Sequence, residues 1–94
     1  MDAPLLTCTV SHGQFSGEYA VSIEVFDGTR VSLFAGESDV ELDSPLTGDD
    51  SVAGRIQVEI LQQSGDLLLV RLPQPTLESG QTITVKSEAI QQEA

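Results

Sequence analysis

The feature that most constrains this chain is a two-residue alternation between Tyr19 and Ala35. Val21, Ile23 and Val25 alternate with Ser22 and Glu24; past Asp27-Gly28, Val31 and Leu33 alternate with Arg30 and Ser32. Period two marks a half-buried β-strand, and Asp-Gly between two such runs marks a hairpin turn. The loop length follows from which side chains would face each other. A two-residue loop would set Ile23 against Ser32 and Glu24 against Val31, apolar against polar throughout. A three-residue loop, Phe26-Asp27-Gly28, sets Val25 against Thr29, Glu24 against Arg30, Ile23 against Val31, Ser22 against Ser32 and Val21 against Leu33. One face is then aliphatic and the other polar, with an opposite-charge cross-strand pair. The sequence therefore predicts this register, with Gly28 as a left-handed bulge residue.

The same reasoning covers the rest of the chain. Leu5–Val10 is a strand with Leu6, Cys8 and Val10 on one face. His12–Gly17 is a glycine-bracketed turn, with Phe15 tucked in as a plug. A short edge strand is expected at 39–42, ended by Ser44-Pro45 because proline lacks a ladder donor. Arg55–Gln62 is a strand with Ile56, Val58 and Ile60 inward. A loop Gln63-Ser64-Gly65 would join it to Asp66–Leu72, pairing Ile60 with Leu68, Val58 with Val70, Ile56 with Leu72 and Gln57 with Arg71. Leu61, Leu67 and Leu69 share the opposite face, so the 55–72 hairpin reads as covered on both sides. That suits a central position or a homo-oligomer contact. Pro73-Gln74-Pro75 reads as an extended link, Thr82–Lys86 as a strand with Ile83 and Val85 inward, and Ser87–Ile90 as a short helical turn. Residues 88–94 read as a frayed tail.

About six short strands with glycine turns and no helical period predict one all-β domain over residues 1–94. A small barrel of the SH3-like or OB-like kind is the expected form, with a β-sandwich as the alternative. A faint internal echo adds to this. Ser16-Gly17-Glu18 resembles Ser64-Gly65-Asp66, and Gly28–Leu33 resembles Gly80–Val85. Such a repeat would make two three-stranded units closing one barrel about a pseudo-twofold axis.

Composition narrows the function classes. Fifteen acidic residues against four basic ones give a net charge of −11. That charge repels nucleic acid and anionic lipid at long range. Arg30, Arg55, Arg71 and Lys86 are scattered singly, so no nucleic-acid partner is expected. No apolar stretch approaches the length of a membrane span, and no basic region followed by a long apolar run opens the sequence, so no membrane partner is expected either. The single cysteine, Cys8, cannot form an internal disulfide, which points to a reducing compartment, most simply the cytoplasm.

No residue set stands out as catalytic, cofactor-binding or metal-binding. Cys8 and His12 are the only thiol and the only imidazole, and four residues along one strand hold them about 13 Å apart, far beyond hydrogen-bond reach. The acidic segment 36–50 carries Glu37, Asp39, Glu41, Asp43, Asp49 and Asp50 without one basic residue. Asp39, Glu41 and Asp43 match positions one, three and five of an EF-hand loop and Asp50 position twelve, but Ser44 stands where the loop needs its glycine, Pro45 follows at position seven, and no helices flank it. The sequence thus favours a non-enzymatic interaction or accessory domain whose acidic residues meet a basic protein. A structural subunit of a homo-oligomeric or virion-type assembly is the alternative, and a weak carboxylate cation-binding module a minor one.

Overall fold

The computed structural model describes residues 4–48, 50–78 and 80–91. The last three residues of the expected tail and Asp49 lie outside them. The described residues form nine strands: β1 (Leu5–His12), β2 (Glu18–Glu24), β3 (Arg30–Gly36), β4 (Val40–Leu42), β5 (Val52–Gln57), β6 (Glu59–Ser64), β7 (Leu67–Thr76), β8 (Gly80–Lys86) and β9 (Ile90–Gln91). Short 3-10 turns, Glu37–Asp39 and Ser87–Ala89, lead into β4 and β9.

The chain is all-β, in two antiparallel sheets. The larger has the order β3-β2-β1-β5-β4, with β9 also pairing with β1; the smaller is β6-β7-β8. The larger sheet does not close, so the expected small barrel is not what forms. The reason lies at Val58. The run predicted as one strand, 55–62, bends there, and its halves enter different sheets. Val58 itself is buried at the bend. Strands that switch sheets at a bend are how two sheets share a corner. Both sheets feed one hydrophobic cluster. Leu6, Ile23, Leu33 and Ile56 come from the larger sheet and Val70, Leu72 and Val85 from the smaller.

The β2–β3 register is the predicted one. Val21 faces Leu33, Ser22 faces Ser32, Ile23 faces Val31 and Glu24 faces Arg30. Val25 N–H donates to Thr29 C=O (2.8 Å), Gly28 N–H donates to Val25 C=O (3.0 Å), and Gly28 has φ of 88°. The β6–β7 register differs from expectation. Its turn has two residues, Gly65-Asp66, because Ser64 pairs with Leu67. A bulge at Leu61 then takes up one residue, so Ile60 faces Val70 and Glu59 faces Arg71. Leu61 is exposed, so the outer face of this hairpin is only partly covered. Phe15 is also exposed (72%) and plugs nothing. Beyond Lys86 the chain does not simply fray: Ile90 pairs with Leu6 and Gln91 with Leu5. The ladder between β7 and β8 breaks between Arg71 and Thr76, across Pro73 and Pro75.

The two halves repeat each other. Adding 50 to each residue number carries Leu6 onto Ile56 and Val40 onto Ile90. The pair Val40–Ile56 thereby becomes Ile90–Leu6, and Glu41–Arg55 becomes Gln91–Leu5; all four pairs exist. With 49 added along β2, Val21–Leu33 becomes Val70–Ile83 and Tyr19–Ala35 becomes Leu68–Val85, again observed. Glu37 N–H donates to Gly17 C=O (3.0 Å) in one half, and Ser87 N–H donates to Asp66 C=O (2.7 Å) in the other. Each half ends in a 3-10 turn and a short strand that pairs with the first strand of the other half; the counterpart of β1 is split at Val58 into β5 and β6, so the halves hold four and five strands. The axis runs through the β1–β5 ladder. On the far side, β3 and β8 are both sheet edges and do not pair. The predicted echo of Gly28 with Gly80 is two residues out, since Leu33 corresponds to Ile83.

Candidate functional site

The acidic segment does not gather into one site. Glu37 and Asp39 belong to the first 3-10 turn, Glu41 to β4, and Asp43 follows β4. A 3-10 turn breaks the period-two row that a strand would have given these side chains. Asp39 lines a cleft of about 240 Å³ with Glu59, Arg71 and Pro73. Glu41 and Asp43 instead meet Arg55 on the neighbouring strand: Asp43 Oδ1 lies 2.9 Å and Glu41 Oε1 3.6 Å from its guanidinium. The register produces this, because Glu41 and Arg55 are directly opposite in the β4–β5 ladder. Glu37, Glu41, Asp43 and Asp50 are exposed. Among the described residues no three His, Cys, Asp or Glu side chains converge as metal ligands would.

Cys8 and His12 are held apart. Cys8 is on β1 and faces the core, opposite Gly54 of the neighbouring β5, while His12 is exposed at the end of β1. Burial pushes the Cys8 thiol up to about 12; the Asp43 carboxylate adds to this and Arg55 opposes it. A thiol in that state is a small hydrophobe rather than a nucleophile.

A second feature lies where β3 and β8 fail to pair. Each hairpin tip donates one backbone N–H across the gap: Phe26 to Thr84 C=O (3.0 Å) and Leu77 to Ser32 C=O (2.8 Å). Beside the first of these contacts lies a cleft of about 480 Å³. Val31, Leu69 and Ile83 supply its apolar lining, and Phe26, Asp27 and Glu78 also border it. Phe26 remains 46% exposed. Sequence reasoning placed Phe26 in a turn but assigned it no role. Its signal was an aromatic ring at a turn position whose geometry demands none.

Among the described residues no helix is long and apolar enough to cross a membrane. Compared with protein-family models, curated proteins and solved structures, the chain finds no match in any of the three.

Proposed function

We propose that the chain is a non-enzymatic interaction domain that docks a basic protein through the acidic edge formed by Glu37, Asp39, Glu41 and Asp43. The observation that carries this reading is the charge balance on that edge. Four acidic side chains lie along a turn, the short edge strand β4 and the residue after it, and among the described residues Arg55 is the one cation paired with them. Complementary charge of this kind steers a partner and sets its orientation more than it adds raw affinity. The lone, buried thiol suits a reducing compartment such as the cytoplasm.

The test uses a lysine-rich peptide titrated into labelled protein at low and high salt. Backbone shifts confined to residues 37–43, lost at high salt, are expected. Glu37→Gln with Asp39→Asn should weaken them while leaving the Arg55 pairs intact. Shifts that ignore these substitutions would sink the reading.

An assembly subunit is the second reading, and the edge strand β6 favours it. β6 ends the smaller sheet, carries the exposed Leu61, and has Glu59 as its only charged residue. Edge strands without guarding charges are templates for pairing with another chain. Sedimentation of the wild type and Leu61→Lys at equal concentration separates the two. A salt-insensitive oligomer that the substitution dissolves supports the subunit; a monomer throughout supports the docking module.

A further inference from the structure

The cleft between the β2–β3 tip and β8 has the makings of a binding pocket distinct from the acidic edge. Val31, Leu69 and Ile83 give it an apolar floor, Thr29, Thr82 and Thr84 add hydroxyls, and its rim carries two carboxylates fixed by hydrogen bonds. Asp27 Oδ1 accepts from the Thr29 hydroxyl (2.7 Å) and the Thr29 backbone N–H (3.1 Å). Glu78 Oε1 accepts from the Ser32 backbone N–H (2.8 Å). Neither carboxylate has an ion-pair partner among the described residues. Arg30 also borders the cleft, but its guanidinium is spent elsewhere. Its Nε donates to Ser22 Oγ (2.9 Å), its Nη2 donates to Thr9 Oγ1 (3.4 Å), and its Nη1 is 3.7 Å from Glu24 Oε1. The rim thus keeps two uncompensated negative charges beside a half-exposed aromatic ring. The Phe26 main chain is tied to Thr84, which sets the ring's starting point on the rim.

We infer that this cleft seats a cationic side chain, lysine or arginine, from an extended segment of a basic protein. Its aliphatic stem lies on Val31 and Ile83, its cation on the Phe26 ring, and Asp27 and Glu78 supply the counter-charges. A long basic side chain has the apolar body and charged head that such a pocket divides between floor and rim. A cation over an aromatic face gains from the ring quadrupole, and carboxylates alongside it add charge-assisted hydrogen bonds. The Thr29 bonds hold the Asp27 carboxyl below its ordinary range, the hydroxyl contributing most, so it stays anionic across the neutral range.

The experiment titrates two blocked pentapeptides, Gly-Ser-Arg-Ser-Gly and the same peptide with citrulline for arginine, into labelled full-length protein. Citrulline keeps the shape of arginine and removes its charge. The arginine peptide should give saturable shifts at Phe26–Arg30 and Thr82–Thr84, and the citrulline peptide none. Asp27→Asn with Glu78→Gln keeps a carbonyl acceptor for Thr29 and Ser32, so the tips remain folded, and should weaken binding roughly tenfold. Phe26→Leu should weaken it also while preserving apolar bulk. Equal binding of both peptides, no shift in the cleft, or affinity unchanged in the double variant would overturn the inference. Shifts at 37–43 alone would do the same while leaving the acidic edge standing.

Discussion

Leu6 and Ile56 face each other in the β1–β5 ladder, and the pseudo-twofold relation carries each onto the other. Both are fully buried. Each also pairs with the short strand of the opposite half, Leu6 with Ile90 and Ile56 with Val40. The two residues therefore tie four strands together at the symmetry centre. Truncation of either to alanine should cost about 2–5 kcal/mol, since the surrounding strands cannot collapse into the space. The two should destabilise to similar extents, and the double variant should cost less than the sum because the cavities merge. Urea denaturation of the three variants measures this. Additive losses would mean that the halves pack independently.

The second prediction concerns Gly54, which faces Leu42 on β4. A Cβ there would sit 2.6 Å from the Glu41 carbonyl oxygen and 2.9 Å from Val10 Cγ2. The first contact is with backbone, so β4 must lift. Gly54→Ala should cost about 1–3 kcal/mol. It should also speed amide exchange at Val40 and Leu42 before other strands are affected. Gly36→Ala is the control, because a Cβ there meets nothing within 4 Å and the backbone is already extended. If both substitutions are silent, β4 does not pack on β5 as described.

What the sequence made legible was local. The β2–β3 register followed from alternation and one turn, because a slip would have crossed polar with apolar at every pair. The β6–β7 register resisted the same test. Leu61, Leu67 and Leu69 put aliphatic residues on both faces, so a one-residue shift cost nothing on paper, and the bulge at Leu61 left no mark. Gly54 falls just outside the strand expected from Arg55, because its role is a close approach by a strand distant in sequence. The partnership of Arg55 with Glu41 and Asp43 is likewise non-local, so an acidic run without a base of its own looked unpaired. The bend at Val58, which opens the expected barrel, falls inside an uninterrupted Ile-x-Val-x-Ile pattern and leaves no break in the alternation.

A third prediction uses Cys8. Its thiol has an ordinary value of 9.0 and is pushed up to about 12 in the fold, by burial first and Asp43 second. The folded state therefore holds a proton that the unfolded state has released. Stability from this group is complete below pH 9 and falls as pH rises from 9 towards 12. Cys8→Ala should flatten that decline, measured as the difference in slope from wild type so that other groups titrating there cancel. Alkylation by iodoacetamide at pH 8 should also be slow in the native protein, roughly a thousandfold below the urea-unfolded chain, in proportion to the thiolate fraction. Equal rates in the two states would place Cys8 at the surface.

Arg55 offers the sharpest test of whether the acidic edge is kept for binding. Its side chain is 24% exposed, and its partners Glu41 and Asp43 are about half exposed. Pairs at that exposure contribute about 0–1 kcal/mol each, so Arg55→Gln should lower stability only slightly. The glutamine retains hydrogen-bonding capacity towards Asp43 but leaves both carboxylates without a cation. If a basic partner docks there, it now meets two more uncompensated charges, and its affinity at low salt should rise about three- to tenfold. The gain should fade as salt screens the edge. A solubilising edge predicts otherwise: Arg55→Gln would leave affinity for the lysine-rich peptide unchanged at every salt concentration. An affinity that falls would mean instead that Arg55 itself contacts the partner, and the acids alone would no longer explain the docking.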